Sequence, residues 1–200
     1  MPEVDTPHGP ARVKLHGEGR PKAALMLGHG AAGGVETPDL RTVTEVAAAE
    51  DFRVALVEQP YRVAGRRSSP PAPKLDEAWL AVVEHLRGGE LGGLPLVVGG
   101  RSAGARVACR TAADSGATGV LCLAFPLHPP GRPEKSRHAE LDAAGVPTLV
   151  VQGESDPFGM PPPGPGREVV TVAGNHSLKA DLDAVARAVR EWLPAVRSSG

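Results

Sequence analysis

A doubly wound α/β domain, with a mostly parallel sheet and helices on both faces, is the fold the sequence predicts. Short, near-continuously apolar runs recur along the chain, and amphipathic segments of helical period separate them, as expected when both faces of a parallel sheet are covered. A further sign lies mid-chain, where Leu94-Pro95-Leu96-Val97-Val98-Gly99 reads as a buried strand that runs through Gly100-Arg101-Ser102-Ala103-Gly104 straight into an alanine-rich helix.

The elements follow in order. Val13 to His16 reads as a lead-in strand and Ala23 to Gly28 as a fully apolar one. The helix Pro38 to Glu50 has Thr37 as its N-cap, Pro38 at the first helical position and Asp39 in the first turn. Strand Arg53 to Glu58, helix Leu75 to Arg87, strand Leu94 to Gly99, helix Ala103 to Asp114 and strand Thr118 to Ala124 come next. A short helix from Ser136 to Ala144 precedes strands Pro147 to Gln152 and Glu168 to Val172, and Asp181 to Val196 is the closing helix. The Pro/Gly-rich stretches Arg66 to Pro73, Pro126 to Pro133 and Pro157 to Gly166 follow strands and read as surface loops at their carboxyl ends, where ligands bind in such sheets. With no internal repeat or linker, residues 11–197 read as a single domain behind an N-terminal tail, 1–10.

Composition narrows the classes of function. A length of 200 residues is enough to bury a substantial core. A formal charge of −1 leaves no electrostatic footprint for nucleic acid or an anionic membrane, and two Trp, one Tyr and three Phe are few for stacking on bases. No apolar run reaches membrane-span length, and Met1 to Pro10 lacks the order of a signal peptide, so a cytoplasmic protein is expected. Cys109 and Cys122 fall in a helix and an apolar strand and read as buried structural thiols.

The chemistry centres on Ser102. A serine on a tight strand-to-helix turn projects its hydroxyl outward, and glycines at 100 and 104 keep bulk out of that turn. A nucleophile of this kind requires an acid and then a histidine further along, each behind a strand. Asp156, in Gly153-Glu154-Ser155-Asp156-Pro157, and His176, in Ala173-Gly174-Asn175-His176-Ser177, stand in those places. Asp156 would hold the imidazole tautomer, and His176 would take the proton of Ser102. Glu154 competes for the acid's role; the shorter Asp156 is preferred.

A rival pattern, Gly28-His29-Gly30-Ala31-Ala32-Gly33 with Glu58 ending the next strand, spells a dinucleotide fingerprint. In that motif the helix begins within the glycines, whereas here it starts at Pro38, so the stretch suits an oxyanion loop better. The oxyanion donors are then the N–H of Ala103 and that of Ala31. Candidates for substrate contact are His29, Arg62, Arg101 and His128, with His29 also suited to bracing the oxyanion loop. His8, His16, His85 and His138 read as solvated.

Gly28-His29-Gly30, Gly100-Arg101-Ser102-Ala103-Gly104, Asp156 and His176 together resemble the α/β-hydrolase fold from Val13 onward. Gly99 to Ala108, with Phe125-Pro126-Leu127-His128-Pro129-Pro130-Gly131, is similar to small dienelactone-hydrolase-like proteins, a group that includes the hydrolase-like domain of a mammalian chromatin-complex subunit. The resemblance implies hydrolysis of small carboxylic esters or lactones through an acyl-enzyme, with no metal or cofactor. Dienelactone hydrolases proper use cysteine where this chain has Ser102, so their own substrate does not carry over. Pro126 to Arg137 leaves no room for a lid domain, which makes the expected fold minimal. The alternative reading is a catalytically inactive interaction module that keeps the fold.

Overall fold

The computed structural model describes residues 1–197. Its strands are β1 (Glu3–Val4), β2 (Ala11–His16), β3 (Ala23–Gly28), β4 (Phe52–Glu58), β5 (Leu96–Arg101), β6 (Gly119–Leu123), β7 (Thr148–Gly153) and β8 (Arg167–Val172). Its helices are α1 (Pro38–Ala49), α2 (Pro60–Val63), α3 (Ala72–Arg87), α4 (Ala103–Ser115), α5 (His138–Asp142) and α6 (Leu182–Arg197). The strands form one sheet in the order β1-β2-β4-β3-β5-β6-β7-β8. From β4 onward across the sheet every pairing is parallel, while β2 runs antiparallel to β4 and β1 antiparallel to β2.

Alternation along the central strands divides the core between the two faces. Ala24, Met26, Val98, Val120, Cys122 and Val150 pack on the side of Trp79, Leu86 and Val107, which come from α3 and α4. Leu25, Leu27, Val97, Leu121 and Val151 pack on the other side against Leu40, Val43, Val189 and Trp192 of α1 and α6. Each large side chain fully buried this way contributes about 1.5–3 kcal/mol relative to exposure. Cys109 and Cys122 are both buried, their sulfurs 3.5 Å apart; the contact with Cys109, with burial, raises the Cys122 thiol pKa well above its ordinary value. Arg106 and Arg110 of α4 reach Glu140 on α5, and Arg110 also grips Asp76 on α3 through paired bonds of 2.7 and 2.8 Å, which fixes the helix behind the site.

Several boundaries shift, most of all at α3, which begins at Ala72 inside the expected loop, at β5, which runs on to Arg101, and at α5, which spans only His138–Asp142; two elements have no counterpart in the sequence expectation. Within residues 1–10, expected as a tail, Glu3 and Val4 pair with Arg12 and Ala11, and Val4 is buried. A strand of 2 residues carries no periodicity to read. The segment after β4 forms the one-turn helix α2, opened by Pro60. Thr37 caps α1 by position only, since its side chain makes no capping bond and its hydroxyl is buried without a partner. Among the described residues, no helix is long and apolar enough to cross a membrane.

Candidate active site

The carboxyl ends of β3, β5, β7 and β8 converge, and each delivers one part of the site. At the end of β5 the chain turns so sharply that Ser102 adopts φ 52° and ψ −108°, a left-handed conformation that costs a non-glycine residue about 1–3 kcal/mol. Tight neighbours hold it there. The Ser102 N–H donates to Leu123 O at 2.9 Å, and α4 begins at the next residue. A Cβ on Gly104 would stand 2.5 Å from the carbonyl carbon and oxygen of Gly28, and one on Gly100 would stand 2.5 Å from that same oxygen. Both glycines are therefore demanded by the closeness of β3 and the elbow.

The turn points Ser102 at its partners. Ser102 Oγ lies 2.9 Å from His176 Nε2, and His176 Nδ1 lies 2.8 Å from Asp156 Oδ2. Asp156 is almost wholly buried, with 1% of its side chain exposed, whereas His176 keeps 17%. The other carboxylate oxygen accepts from the Phe158 N–H at 2.8 Å, and Oδ2 also accepts from Gln152 Nε2 at 2.9 Å. Glu154 is exposed on the same loop. The carboxylate is thus fixed by bonds that leave it oriented toward the imidazole. The Phe158 ring lies against His176, centroids 4.2 Å apart, and covers one face of it. Gly153 lets the histidine loop approach β7: a Cβ there would meet Asn175 O at 2.5 Å.

The N–H of Ala103, first residue of α4, has no intrahelical acceptor and sits at the positive end of the helix dipole. Among the described residues, neither it nor the Ala31 N–H donates to a protein acceptor. The loop carrying Ala31 is fastened from behind, because Tyr61 Oη donates to Ala31 O at 3.1 Å. As the late start of α1 at Pro38 implies, this loop precedes its helix instead of opening it.

The four candidates for substrate contact prove to have other tasks or surroundings. His29 is buried: its Nε2 accepts from the Gln59 N–H at 3.0 Å, and Nδ1 donates to Gly30 O at 2.8 Å. Burial holds its pKa below the ordinary 6.5, against the opposing pull of that carbonyl bond and of Glu58, and Arg62 adds to the lowering. It braces the loop as a neutral imidazole and has no atom left for a ligand. Arg101, adjoining Ser102, is not free either. Its Nε stands 2.9 Å from Oδ2 of the fully buried Asp39, an ion pair by proximity, since neither Asp39 oxygen has an aligned hydrogen-bond donor. Its Nη2 donates to His176 O at 2.9 Å. His128 packs its ring over Gly159, donates its backbone N–H to Phe158 O at 3.0 Å, and so supports the loop that carries Asp156. Arg62 lies in α2 with its Nε buried and unpartnered. Of the histidines expected to be solvated, only His85 is exposed; His8 meets Glu77 at 2.5 Å and His138 meets Arg167.

Gln152, Phe158 and Tyr61 escaped the sequence reading. Gln152 stood as the last residue of a strand, and only its position four residues before Asp156 hinted at a contact. Beside Tyr61 opens a cavity of about 740 Å³, walled by Pro60, Tyr61, Ser69 and Pro70 and fringed by Arg66 and Lys74. Its wall includes the first of the three Pro/Gly-rich loops expected to border a pocket.

A lidless doubly wound sheet with a strained serine at the end of β5, followed by an acid and a histidine behind β7 and β8, defines the α/β-hydrolase fold. Residues 21–183 match the family described as alpha/beta hydrolase domain, and the chain belongs to that family. Similar solved structures include an α/β serine hydrolase without a lid from Xanthomonas campestris, 20% identical, with a TM-score of 0.75 over 96% of this chain and 94% of that one. The dienelactone hydrolase of Anabaena variabilis is 17% identical, with a TM-score of 0.77 over 96% of this chain and 95% of its own. Est1E from Butyrivibrio proteoclasticus, with ferulic acid bound, is 15% identical, with a TM-score of 0.76 over 98% of each chain.

Proposed function

We propose that the protein is a serine hydrolase of small carboxylic esters or lactones, acting through an acyl-enzyme. Ser102 Oγ attacks the carbonyl carbon while His176 Nε2 accepts its proton; Asp156 keeps Nδ1 protonated and steadies the imidazolium that forms. The N–H groups of Ala103 and Ala31 receive the negative charge that develops on the carbonyl oxygen. His176 then returns the proton to the departing alcohol, and a water activated by the same Nε2 attacks the acyl-serine and releases the acid. Charge and protons are handled by these groups alone, so the chemistry calls for neither metal nor cofactor. The observation that carries this reading is the unbroken line from Ser102 through His176 to Asp156, at 2.9 and 2.8 Å, with the unspent N–H of Ala103 directly after Ser102.

The absence of a lid between β6 and β7 favours short, water-soluble substrates over long acyl chains. The cavity beside Tyr61 is lined by none of Ser102, Asp156, His176, Ala31 or Ala103, but Tyr61 in its wall is bonded to Ala31 O; Arg66 and Lys74 at its edge form no ion pair among the described residues, and on that link we extend the proposal to an anionic group at the substrate's far end. The test is turnover of two short esters that differ only in a distal carboxylate. Activity abolished by Ser102→Ala or His176→Ala, with kcat/KM at low salt higher for the anionic ester and the gap closing as salt rises, supports the reading. Undiminished turnover by Ser102→Ala overturns the hydrolase, and preference for the neutral ester overturns the substrate class alone.

A further inference from the structure

We propose that Arg101, ion-paired to Asp39 and hydrogen-bonded to the His176 carbonyl, is a positioning residue that sets the serine-histidine distance and the oxyanion loop together. This rests on the hydrolase reading above.

Three parts of the site are built on different elements, and nothing covalent near them ties one to another. The nucleophile follows β5, the base follows β8, and the oxyanion loop joins β3 to α1. One guanidinium touches all of them. Arg101 belongs to the elbow's own backbone, so its Cα moves with Ser102. Its Nη2 holds the carbonyl of the residue that carries the base, at 2.9 Å. Its Nε faces Asp39 in the first turn of α1, at 2.9 Å. Its Nη1 lies close to Gly30 in the loop between β3 and α1, for a Cβ on Gly30 would stand 2.9 Å away. A side chain at position 30 would therefore displace the end of the guanidinium from its present place.

A purely structural salt bridge has no need of this third contact. With 16% of the Arg101 side chain exposed and none of Asp39, the pair is sheltered from solvent competition, and a planar fork holds its partners at set angles where a flexible ammonium does not. Lysine at 101 can neutralise Asp39, but it cannot in addition direct a donor at His176 O and lie on Gly30. The positioning role and the charge-pairing role therefore separate under substitution.

The experiment compares Arg101→Lys and the double variant Arg101→Gln/Asp39→Asn with the wild type, reading kcat, KM and thermal midpoint on one activated short ester. The double variant removes both charges, so no uncompensated carboxylate remains to unfold the protein. For both variants the proposal expects kcat to fall about 10- to 100-fold, as displacement of a catalytic group by about 1 Å does, with KM within about twofold and the midpoint largely retained. Arg101→Lys should keep more activity than the double variant. Wild-type kcat in either folded variant overturns the positioning role and leaves the hydrolase intact. Loss of kcat only in step with the thermal midpoint reduces Arg101 to a structural residue and likewise overturns it. An inactive wild type removes the reading on which the proposal stands, and the proposal with it.

Discussion

Replacing Gln152 by leucine isolates what holds the acid in place. The Gln152 amide nitrogen has two hydrogens, and three acceptors surround it: Asp156 Oδ2 at 2.9 Å, Gly159 O at 2.9 Å and Phe125 O at 3.1 Å. At most two full bonds are lost in Gln152→Leu, one of them to a carboxylate, together worth about 2–4 kcal/mol. Against this, Gln152 Oε1 is itself buried without a partner, and its removal relieves about 1–3 kcal/mol. The central values leave a net loss of about 1 kcal/mol, a fall of roughly 2–4 °C in the thermal midpoint for a chain of this size. Activity should suffer more than stability. Asp156 keeps its bonds to His176 and the Phe158 N–H, but Oδ2 loses the donor that fixes its tilt, and kcat should drop about 10- to 100-fold with KM nearly constant. Thermal melts and steady-state hydrolysis of a p-nitrophenyl ester read both quantities. Unchanged kcat in a protein that has lost the expected stability would show that Asp156 orients His176 without help, and would refute the reasoning.

Two further expectations concern the oxyanion loop. Ala31→Pro removes an N–H and should lower kcat roughly 10²- to 10³-fold, while Ala31→Ser should stay near wild type; equal activity of the pair moves the donor elsewhere. His29 is held neutral by burial, with its pKa below the ordinary 6.5, so the unfolded chain takes up a proton first as pH falls. The stability it contributes is complete above about 6.5 and is lost as pH drops toward its folded value, so urea midpoints at pH 7.5 and 5.5 should diverge more for the wild type than for His29→Gln. Equal divergence contradicts the buried neutral imidazole.

The contrast between what the sequence disclosed and what it hid follows from range. The boundaries of β3 coincide with the reading, and α1, α4 and β8 differ from it by a residue at one end, because strong periodicity, a proline start and a glycine stop are local signals. The order of Ser102, Asp156 and His176 was legible because the fold's topology fixes it. What remained hidden depends on pairs distant in sequence. Arg101 and Asp39 meet across 62 positions, and an arginine next to a nucleophile looks like a substrate clamp until the buried carboxylate is seen. His29 looked available for a ligand until the Gln59 N–H, 30 residues away, claimed its second nitrogen. Gln152 was concealed by composition, as a polar residue ending an apolar strand gives no sign of which way its amide points.

The measurement that bears most directly on the central claim is mass-spectrometric mapping of a fluorophosphonate probe on the folded protein. A nucleophile activated by His176 should capture one phosphonyl group on Ser102, none in Ser102→Ala, and far more slowly in His176→Ala. A folded wild-type protein that stays unlabelled, or a Ser102→Ala variant labelled as readily as the wild type, would contradict the account and favour an interaction module that has kept the fold.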